Sequence, residues 1–105
     1  MKTLLLDKTT LLKERFAKLL KVSENSIPVT PDSYKYHKGG KSHAASRFVL
    51  PIRINTSVVP LKVYFFQVDG TLYLTDSVSF TEKAESVDLL VAKLKPHINT
   101  LKSLQ

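Results

Sequence analysis

Residues 61–75, LKVYFFQVDGTLYLT, decide the fold of this chain. The first half of this stretch, residues 61–68, is rich in the aromatic and β-branched side chains that favour strands. Asp69 and Gly70 together are a strong signal for a two-residue hairpin turn, and residues 71–75 follow as the returning strand. The sequence therefore predicts an antiparallel β-hairpin over residues 61–75.

A second alternating segment precedes this hairpin. In residues 47–55 the alternation separates two sides: Phe48, Leu50, Ile52 and Ile54 on one, and Arg47, Val49, Pro51 and Arg53 on the other. In residues 61–66 it separates Leu61, Val63 and Phe65 from Lys62, Tyr64 and Phe66. Because Pro51 has no N–H, we expect the first of these strands to lie at a sheet edge or to carry a bulge there.

Two segments with helical spacing flank the strands. The first follows Thr9 or Thr10 as a candidate N-cap, and its apolar residues recur at helical spacing: Leu12, Phe16, Leu19 and Leu20. The second is predicted to begin after Thr81 as its N-cap, and its apolar stripe is Val87, Leu90, Val91 and Leu94. The stripe continues past Pro96, so we expect a kink there rather than a second helix.

Residues 30–40 allow two interpretations. A threonine and a proline at the start of this segment resemble an N-cap and a first helical turn, which predicts a short helix ending at the pair Gly39-Gly40. Alternatively, two tyrosines at a spacing of two residues indicate a strand, and the glycine pair forms a hairpin turn. We favour the hairpin, because the segment that follows is a strand.

These elements predict one small α+β domain over residues 1–105, an antiparallel sheet of three to four strands with the N-terminal and C-terminal helices packed on one face. The predicted core is Leu12, Phe16, Leu19, Phe48, Leu50, Ile52, Val63, Phe65, Leu72, Leu74, Leu90, Val91 and Leu94. The same alternation predicts that the opposite face of the sheet holds Arg47, Arg53, Lys62, Tyr64 and Tyr73.

Positive charge is concentrated in the middle third of the chain. Residues 33–68 carry six basic side chains and no acidic one, whereas residues 1–32 have six basic and four acidic, and residues 69–105 have four basic and five acidic. Thirteen of the sixteen basic residues are lysine, which suits contact with anions more than the bidentate reading of bases. This asymmetry indicates a polyanionic partner.

The composition limits the cellular compartments and the classes of protein that we expect. The chain has no cysteine, which excludes disulfides and thiolate chemistry and fits a reducing compartment. Its first residues, MKTLLL, resemble the start of a signal peptide, but Asp7 and Lys8 end the apolar run before it reaches the length that a signal peptide needs. No stretch approaches the roughly 18 apolar residues of a membrane-spanning helix. We therefore expect a soluble, cytoplasmic protein.

Catalytic, metal and cofactor chemistry find little support in the sequence. The run KGGKS at residues 38–42 lacks the full spacing of a phosphate-binding loop and does not lead into a helix. His37 and His43 could meet across a hairpin, but a metal site needs a further ligand. The serines have no histidine and acid at a recognisable spacing. We expect no enzyme, no cofactor and no metal site.

The eight residues 69–76, DGTLYLTD, resemble a hairpin found in uncharacterised phage and mobile-element proteins. The resemblance rests on turn and strand residues, assigns the chain to no family and implies no function.

Two functions use the same basic segment. The first is a small interaction protein of the inhibitor or adaptor kind, which resembles phage or mobile-element products and binds an acidic surface on a partner protein. The alternative is a nucleic-acid-binding module that contacts phosphates with residues 33–68 and stacks bases on Tyr64 and Tyr73. A homodimer is a further arrangement, and no membrane partner is expected. The candidate binding residues are Tyr34, Lys35, Tyr36, Lys38, Lys41, Arg47, Arg53, Lys62, Tyr64 and Tyr73.

Overall fold

A computed structural model describes residues 2–103, with the backbone alone for residues 2–7, 32–34, 36 and 38. The elements are, in order, α1 (Lys2–Leu20), a 3-10 turn (Glu24–Ser26), β1 (Val29–Lys38), β2 (Lys41–Ile54), β3 (Ser57–Val68), β4 (Thr71–Thr75), β5 (Thr81–Ala84) and α2 (Val87–Ser103). The strands form one antiparallel sheet in the order β1-β2-β3-β4-β5. The α+β class is confirmed, but the predicted three to four strands are wrong, because the described sheet has five.

The first edge of the sheet is β1, and it settles the two interpretations of residues 30–40. Gly39 and Gly40 have φ angles of 62° and 76°, which a two-residue hairpin turn requires and which glycine adopts at low cost. Lys38 then pairs with Lys41, and the pairing continues along both strands. The hairpin is confirmed and the short helix is wrong.

The other edge of the sheet is β5, and its position shows that the predicted start of the last helix is wrong. Thr81 pairs with Thr75 and Ala84 with Leu72, so residues 81–84 complete the sheet instead of opening a helix. The helix begins at Val87, and the Oγ atom of Ser86 accepts a hydrogen bond of 3.3 Å from the N–H of Leu89, as an N-cap does. Strand pairing with β4 therefore decides the structure of residues 81–84 over their capping potential.

The helices differ in their bounds from the sequence expectation. The helix α1 begins at Lys2, ahead of the threonines predicted to cap it, because the leucines and lysines before them are themselves good helix formers. The helix α2 continues through Pro96 to Ser103, which confirms one helix rather than two. Neither helix, over the residues described, is long and apolar enough to cross a lipid bilayer.

Both helices pack on the same side of the sheet. The buried cluster joins Leu12 and Phe16 of α1, Leu90 and Leu94 of α2, and the apolar sides of β2, β3 and β4. The ring of Phe16 meets Phe48 edge to face, with centroids 5.3 Å apart. Ile52 and Phe65 are fully buried, so the core side predicted for each of these two alternating segments is correct. Of the predicted core, Leu19 and Val91 are only partly buried and line its margin.

The strands β2 and β3 extend as a two-stranded ribbon beyond their neighbours. The pairing of β1 with β2 ends at Phe48, and the pairing of β4 with β3 ends at Tyr64. Within the ribbon Pro51 lies opposite Pro60. Neither proline has a further strand beside it in the described sheet, so neither removes a ladder hydrogen bond. The expectation that Pro51 lies at a sheet edge is confirmed.

Candidate functional site

The side of the sheet turned away from α1 and α2 is here named the outer face. The strand registers fix its membership, because Arg47 pairs with Tyr64, Val49 with Lys62, and Phe66 with Tyr73. From β2 to β5 its members are Lys41, His43, Ala45, Arg47, Val49, Pro51, Arg53, Val58, Pro60, Lys62, Tyr64, Phe66, Val68, Thr71, Tyr73, Thr75, Thr81 and Lys83.

The charges at the outer-face positions of β2 to β5 are all of one sign. Five of these eighteen positions are cations, namely Lys41, Arg47, Arg53, Lys62 and Lys83, and none is a carboxylate. Acidic residues lie elsewhere, for example Glu14 on α1, Asp88 on α2 and Glu82 on the helix side of β5. The helices carry both signs, and Arg15 binds Asp88 at 2.7 Å between them. The sheet therefore separates a cationic surface from a mixed one.

The structure brings together part of the predicted binding set. Arg47, Arg53, Lys62, Tyr64 and Tyr73 lie on the outer face, as the alternation predicted. They span β2, β3 and β4, so a flat partner could meet them at once.

The remaining predicted residues lie at the far end, on the hairpin of β1 and β2. Lys35 pairs with Ala44, at a position on the helix side of the sheet, so the register separates it from the others. Tyr34, Tyr36 and Lys38 pair with Ala45, His43 and Lys41, but their side chains are outside the described part of the structure.

A row of stacked rings fills one part of the outer face. Phe66 is fully buried although it points away from the main core. It stacks on Tyr73 with ring centroids 5.0 Å apart, and His43 lies at 6.1 Å with its plane inclined by 21°. The alternation placed Phe66 on this face but not in a buried position; its cross-strand partner Tyr73 was the available signal.

Arg47 is half-buried at the centre of the outer face, opposite Tyr64. Its Nε atom is buried and has no hydrogen-bond partner within the part of the chain that the structure describes. A buried N–H of a charged group without an acceptor costs free energy. An anion bound to this guanidinium would supply the acceptor that the described residues do not provide for Nε.

The ribbon adds an apolar strip to the cations. Val58 is 54% exposed, and Pro60 beside it is also exposed. Arg53 pairs with Val58, and Lys62 follows Pro60 two residues along the same face. This end of the outer face can therefore offer a partner apolar contact beside positive charge.

An open hollow of about 460 Å³ lies where the two hairpin turns approach each other. Its lining includes Gly39, Lys41 and His43 from one hairpin and Asp69 from the turn of the other. Gly39 and Gly40 connect two strands here, whereas a phosphate-binding loop leads from a strand into a helix. The hollow is therefore polar and open, and it lacks the backbone geometry of a nucleotide site.

The two histidines considered for a metal site lie on opposite sides of their hairpin. His37 pairs with Ser42, and its Nδ1 atom lies 3.1 Å from the serine Oγ. His43 pairs with the next residue along, Tyr36, and stacks on Phe66. Among the described residues no group of three or more histidine, aspartate or glutamate side chains is placed to hold a metal ion.

A separate polar cluster lies on the helix side of the sheet, in the loop between β4 and β5. The carboxylate of Asp76 accepts hydrogen bonds from the N–H groups of Val78, Ser79 and Phe80 and from Ser79 Oγ. Burial alone would raise the pKa of Asp76, but these hydrogen bonds outweigh it and lower the pKa below its ordinary value.

His97 of α2 belongs to the same region, and its side chain is only 30% exposed. Its Nε2 atom lies 2.7 Å from Glu82 Oε2, and its ring stacks on Phe80 with centroids 4.0 Å apart. These contacts join α2 to β5 and to the loop before it. The Oγ atom of Ser79 donates its hydrogen bond to Asp76 Oδ2, so in the described structure this hydroxyl is paired with a carboxylate and not with His97.

No protein-family model, curated protein or solved structure matches this chain. The function is therefore inferred from the outer face itself.

Proposed function

We propose that this protein is a small, non-enzymatic interaction protein whose outer face binds an acidic surface on a partner protein in the cytosol. The observation that supports the proposal best is the charge pattern of that face, which has five cations and no carboxylate at its positions on β2 to β5. Complementary charge gives such an interface its specificity. The absence of cysteine is compatible with the reducing cytosol.

The ring geometry favours a protein partner over nucleic acid. Modules that hold single strands present open aromatic faces on which bases stack. Here Phe66 is fully buried, and it occupies one face of the Tyr73 ring. The exposed Val58 and Pro60 instead offer the apolar contact that the centre of a protein interface contains.

The alternative partner, nucleic acid, uses the same cations. A surface without carboxylates suits phosphates as well as it suits acidic side chains, and Tyr64 lies among the cations of the outer face. A second copy of this chain is a poorer partner for this surface, because two outer faces brought together set cation against cation.

The test uses a charge reversal on the ribbon, Arg53→Glu with Lys62→Glu. The wild-type protein and this double variant are each immobilised, acidic proteins captured from a lysate are identified, and one captured protein is purified and titrated. The same two proteins are titrated with labelled single- and double-stranded oligonucleotides by fluorescence polarisation at low salt. We expect tight binding of the purified acidic protein, lost by at least about a hundredfold in the double variant, since like charges across an interface cost several kcal/mol.

The matched control is Lys95→Glu with Lys102→Glu, which reverses two exposed cations of α2 on the opposite side of the molecule. This control keeps the net charge equal to that of the ribbon variant, and we expect it to bind as the wild type does. Oligonucleotide binding that is tighter than binding to any captured protein, and that the ribbon variant abolishes, would replace the proposal with the nucleic-acid alternative. Equal loss in both charge variants would show that net charge alone drives the binding.

A further inference from the structure

We infer that the partner contributes an extended acidic segment that pairs with the free edge of β1 and adds a sixth strand to the sheet. The inference rests on the proposed function for the sign of the partner's charge. Its geometry rests on a different part of the molecule, the backbone edge beside residues 34–38. Strand addition of this kind obtains its affinity from main-chain hydrogen bonds and its specificity from alternate side chains.

The other edges of the described sheet are obstructed. Pro51 and Pro60 lie on the two edges of the ribbon, and a proline cannot donate to an added strand. At the far edge, β5 is only four residues long. The carbonyl of Lys83 in β5 already accepts a hydrogen bond of 2.6 Å from Lys93 Nζ. Because the prolines, the short length of β5 and the occupied carbonyl of Lys83 obstruct the other edges, β1 is the accessible edge of the described sheet.

The hairpin turn determines which groups of β1 are free to pair. In a two-residue turn the flanking residues bond to each other, so Lys38 and Lys41 form a hydrogen-bonded pair. Hydrogen-bonded and non-hydrogen-bonded pairs then alternate along an antiparallel ladder. Lys35 and His37 therefore direct their N–H and C=O groups away from β2, toward the open edge. Pro31 precedes this segment and is separated from it by the register shift between Thr30 and Tyr34.

The charge of this edge selects an acidic occupant. The side chains of Lys35 and His37 are exposed, and no carboxylate occurs between Asp32 and Asp69. Lysine on an edge strand opposes pairing with an identical strand, because two such edges place lysines beside each other. Carboxylates on an incoming strand would instead lie beside the cation of Lys35 and the imidazole of His37.

The experiment uses a defined probe, a fluorescein-labelled peptide of about ten residues in which glutamate and threonine alternate. Its binding to the wild-type protein is followed by fluorescence polarisation. A second peptide of the same sequence has its central amides N-methylated, which preserves every charge and removes the backbone donors. We expect the N-methylated peptide to bind at least about tenfold more weakly, as the loss of one or more backbone hydrogen bonds implies.

Two variants at one position test the protein side of the same bonds. His37→Pro removes an N–H that faces away from β2 and so leaves the pairing with β2 intact. His37→Thr removes the imidazole and its contact with Ser42 but keeps the N–H. We expect His37→Pro to weaken peptide binding by about tenfold relative to His37→Thr. Circular dichroism and the unfolding midpoint check that both variants retain the sheet.

The outcomes separate this inference from the proposed function. Absence of peptide binding, or equal affinity for both peptides, would overturn the added strand even if the ribbon variant still loses its acidic partner. Equal affinity of the two His37 variants would likewise show that the segment binds elsewhere. If the edge behaves as inferred while the ribbon variant keeps its partner, the outer-face proposal fails and the edge interaction stands.

Discussion

Phe66 and Tyr73 lie opposite each other on β3 and β4 with ring planes 7° apart, and together they form a small second core on the outer face. Because Phe66 is fully buried, Phe66→Ala should lower the free energy of unfolding by about 3–5 kcal/mol. Urea unfolding measures the change. Val58→Ala, at an exposed position of the same face, should stay within about 0.5 kcal/mol of the wild type. A loss below about 1 kcal/mol for Phe66→Ala would contradict this account of the outer face.

Arg47 illustrates a conflict between stability and binding. Its buried Nε atom has no hydrogen-bond partner in the described residues. Arg47→Met, whose unbranched side chain ends in a methyl group at about the position of Nε, should therefore stabilise the fold by about 1 kcal/mol. The same change should weaken binding of the acidic partner. Thermal unfolding and titration measure the two effects, and Arg53→Met, at an exposed position, should weaken binding without stabilising the fold. Destabilisation by Arg47→Met would refute the argument.

Asp76 gives the stability a defined dependence on pH. Its folded-state pKa lies below the unfolded value of about 3.9, so its carboxylate stabilises the fold above that pH and loses this contribution as the pH falls through the folded pKa. Asp76→Asn should therefore cost about 1–2 kcal/mol at pH 7. The difference from the wild type should shrink below about pH 4.

The measurement for Asp76 is urea unfolding of both proteins across this pH range. Ser79→Ala serves as the control, because it removes the 2.6 Å hydrogen bond from Ser79 Oγ and leaves the three backbone donors in place. This control should show a smaller loss at pH 7. A gap between Asp76→Asn and the wild type that is constant with pH would exclude the carboxylate charge as its cause.

The turn between β3 and β4 depends on the conformation of Gly70. Its φ angle is 83°, and a Cβ atom added there would meet no atom within 4 Å, so Gly70→Ala tests conformation without a clash. We expect a loss of about 1–2 kcal/mol in unfolding free energy. Asp69→Asn, which keeps a residue that tolerates a positive φ, should leave the stability nearly unchanged. An unaltered Gly70→Ala protein would show that the turn does not constrain the hairpin.

The fold could be predicted from the sequence where the alternation of apolar residues and the turn residues pointed to the same structure. The alternation in residues 47–55 and the Asp69-Gly70 turn correctly predicted the hairpin of β3 and β4 and the side of the sheet on which Arg47, Arg53, Lys62, Tyr64 and Tyr73 lie. The prediction failed where the same residues favoured two local structures about equally. Thr81 can cap a helix or begin a strand, and the free edge of β4 decided between them. The strand count was wrong for the same reason.

The candidate site was predictable in composition but not in arrangement. The cations of residues 33–68 are visible in the sequence, yet Lys35 belongs to the helix side because its register is fixed by pairing with Ala44. The burial of Phe66 and the uncompensated Nε atom of Arg47 depend on neighbours from other strands. The pattern of residues within one strand therefore does not indicate which of its side chains are buried by the neighbouring strands.

The distribution of carboxylates across the sheet has a kinetic consequence. The outer-face positions of β2 to β5 carry only cations, whereas α1 and α2 carry eight basic and three acidic side chains. An acidic target is therefore attracted by the outer face without repulsion from carboxylates at those positions, which raises the rate of encounter there. Added salt should therefore slow association steeply and change dissociation much less, because the bound state is also held by uncharged contacts such as those of Val58 and Pro60.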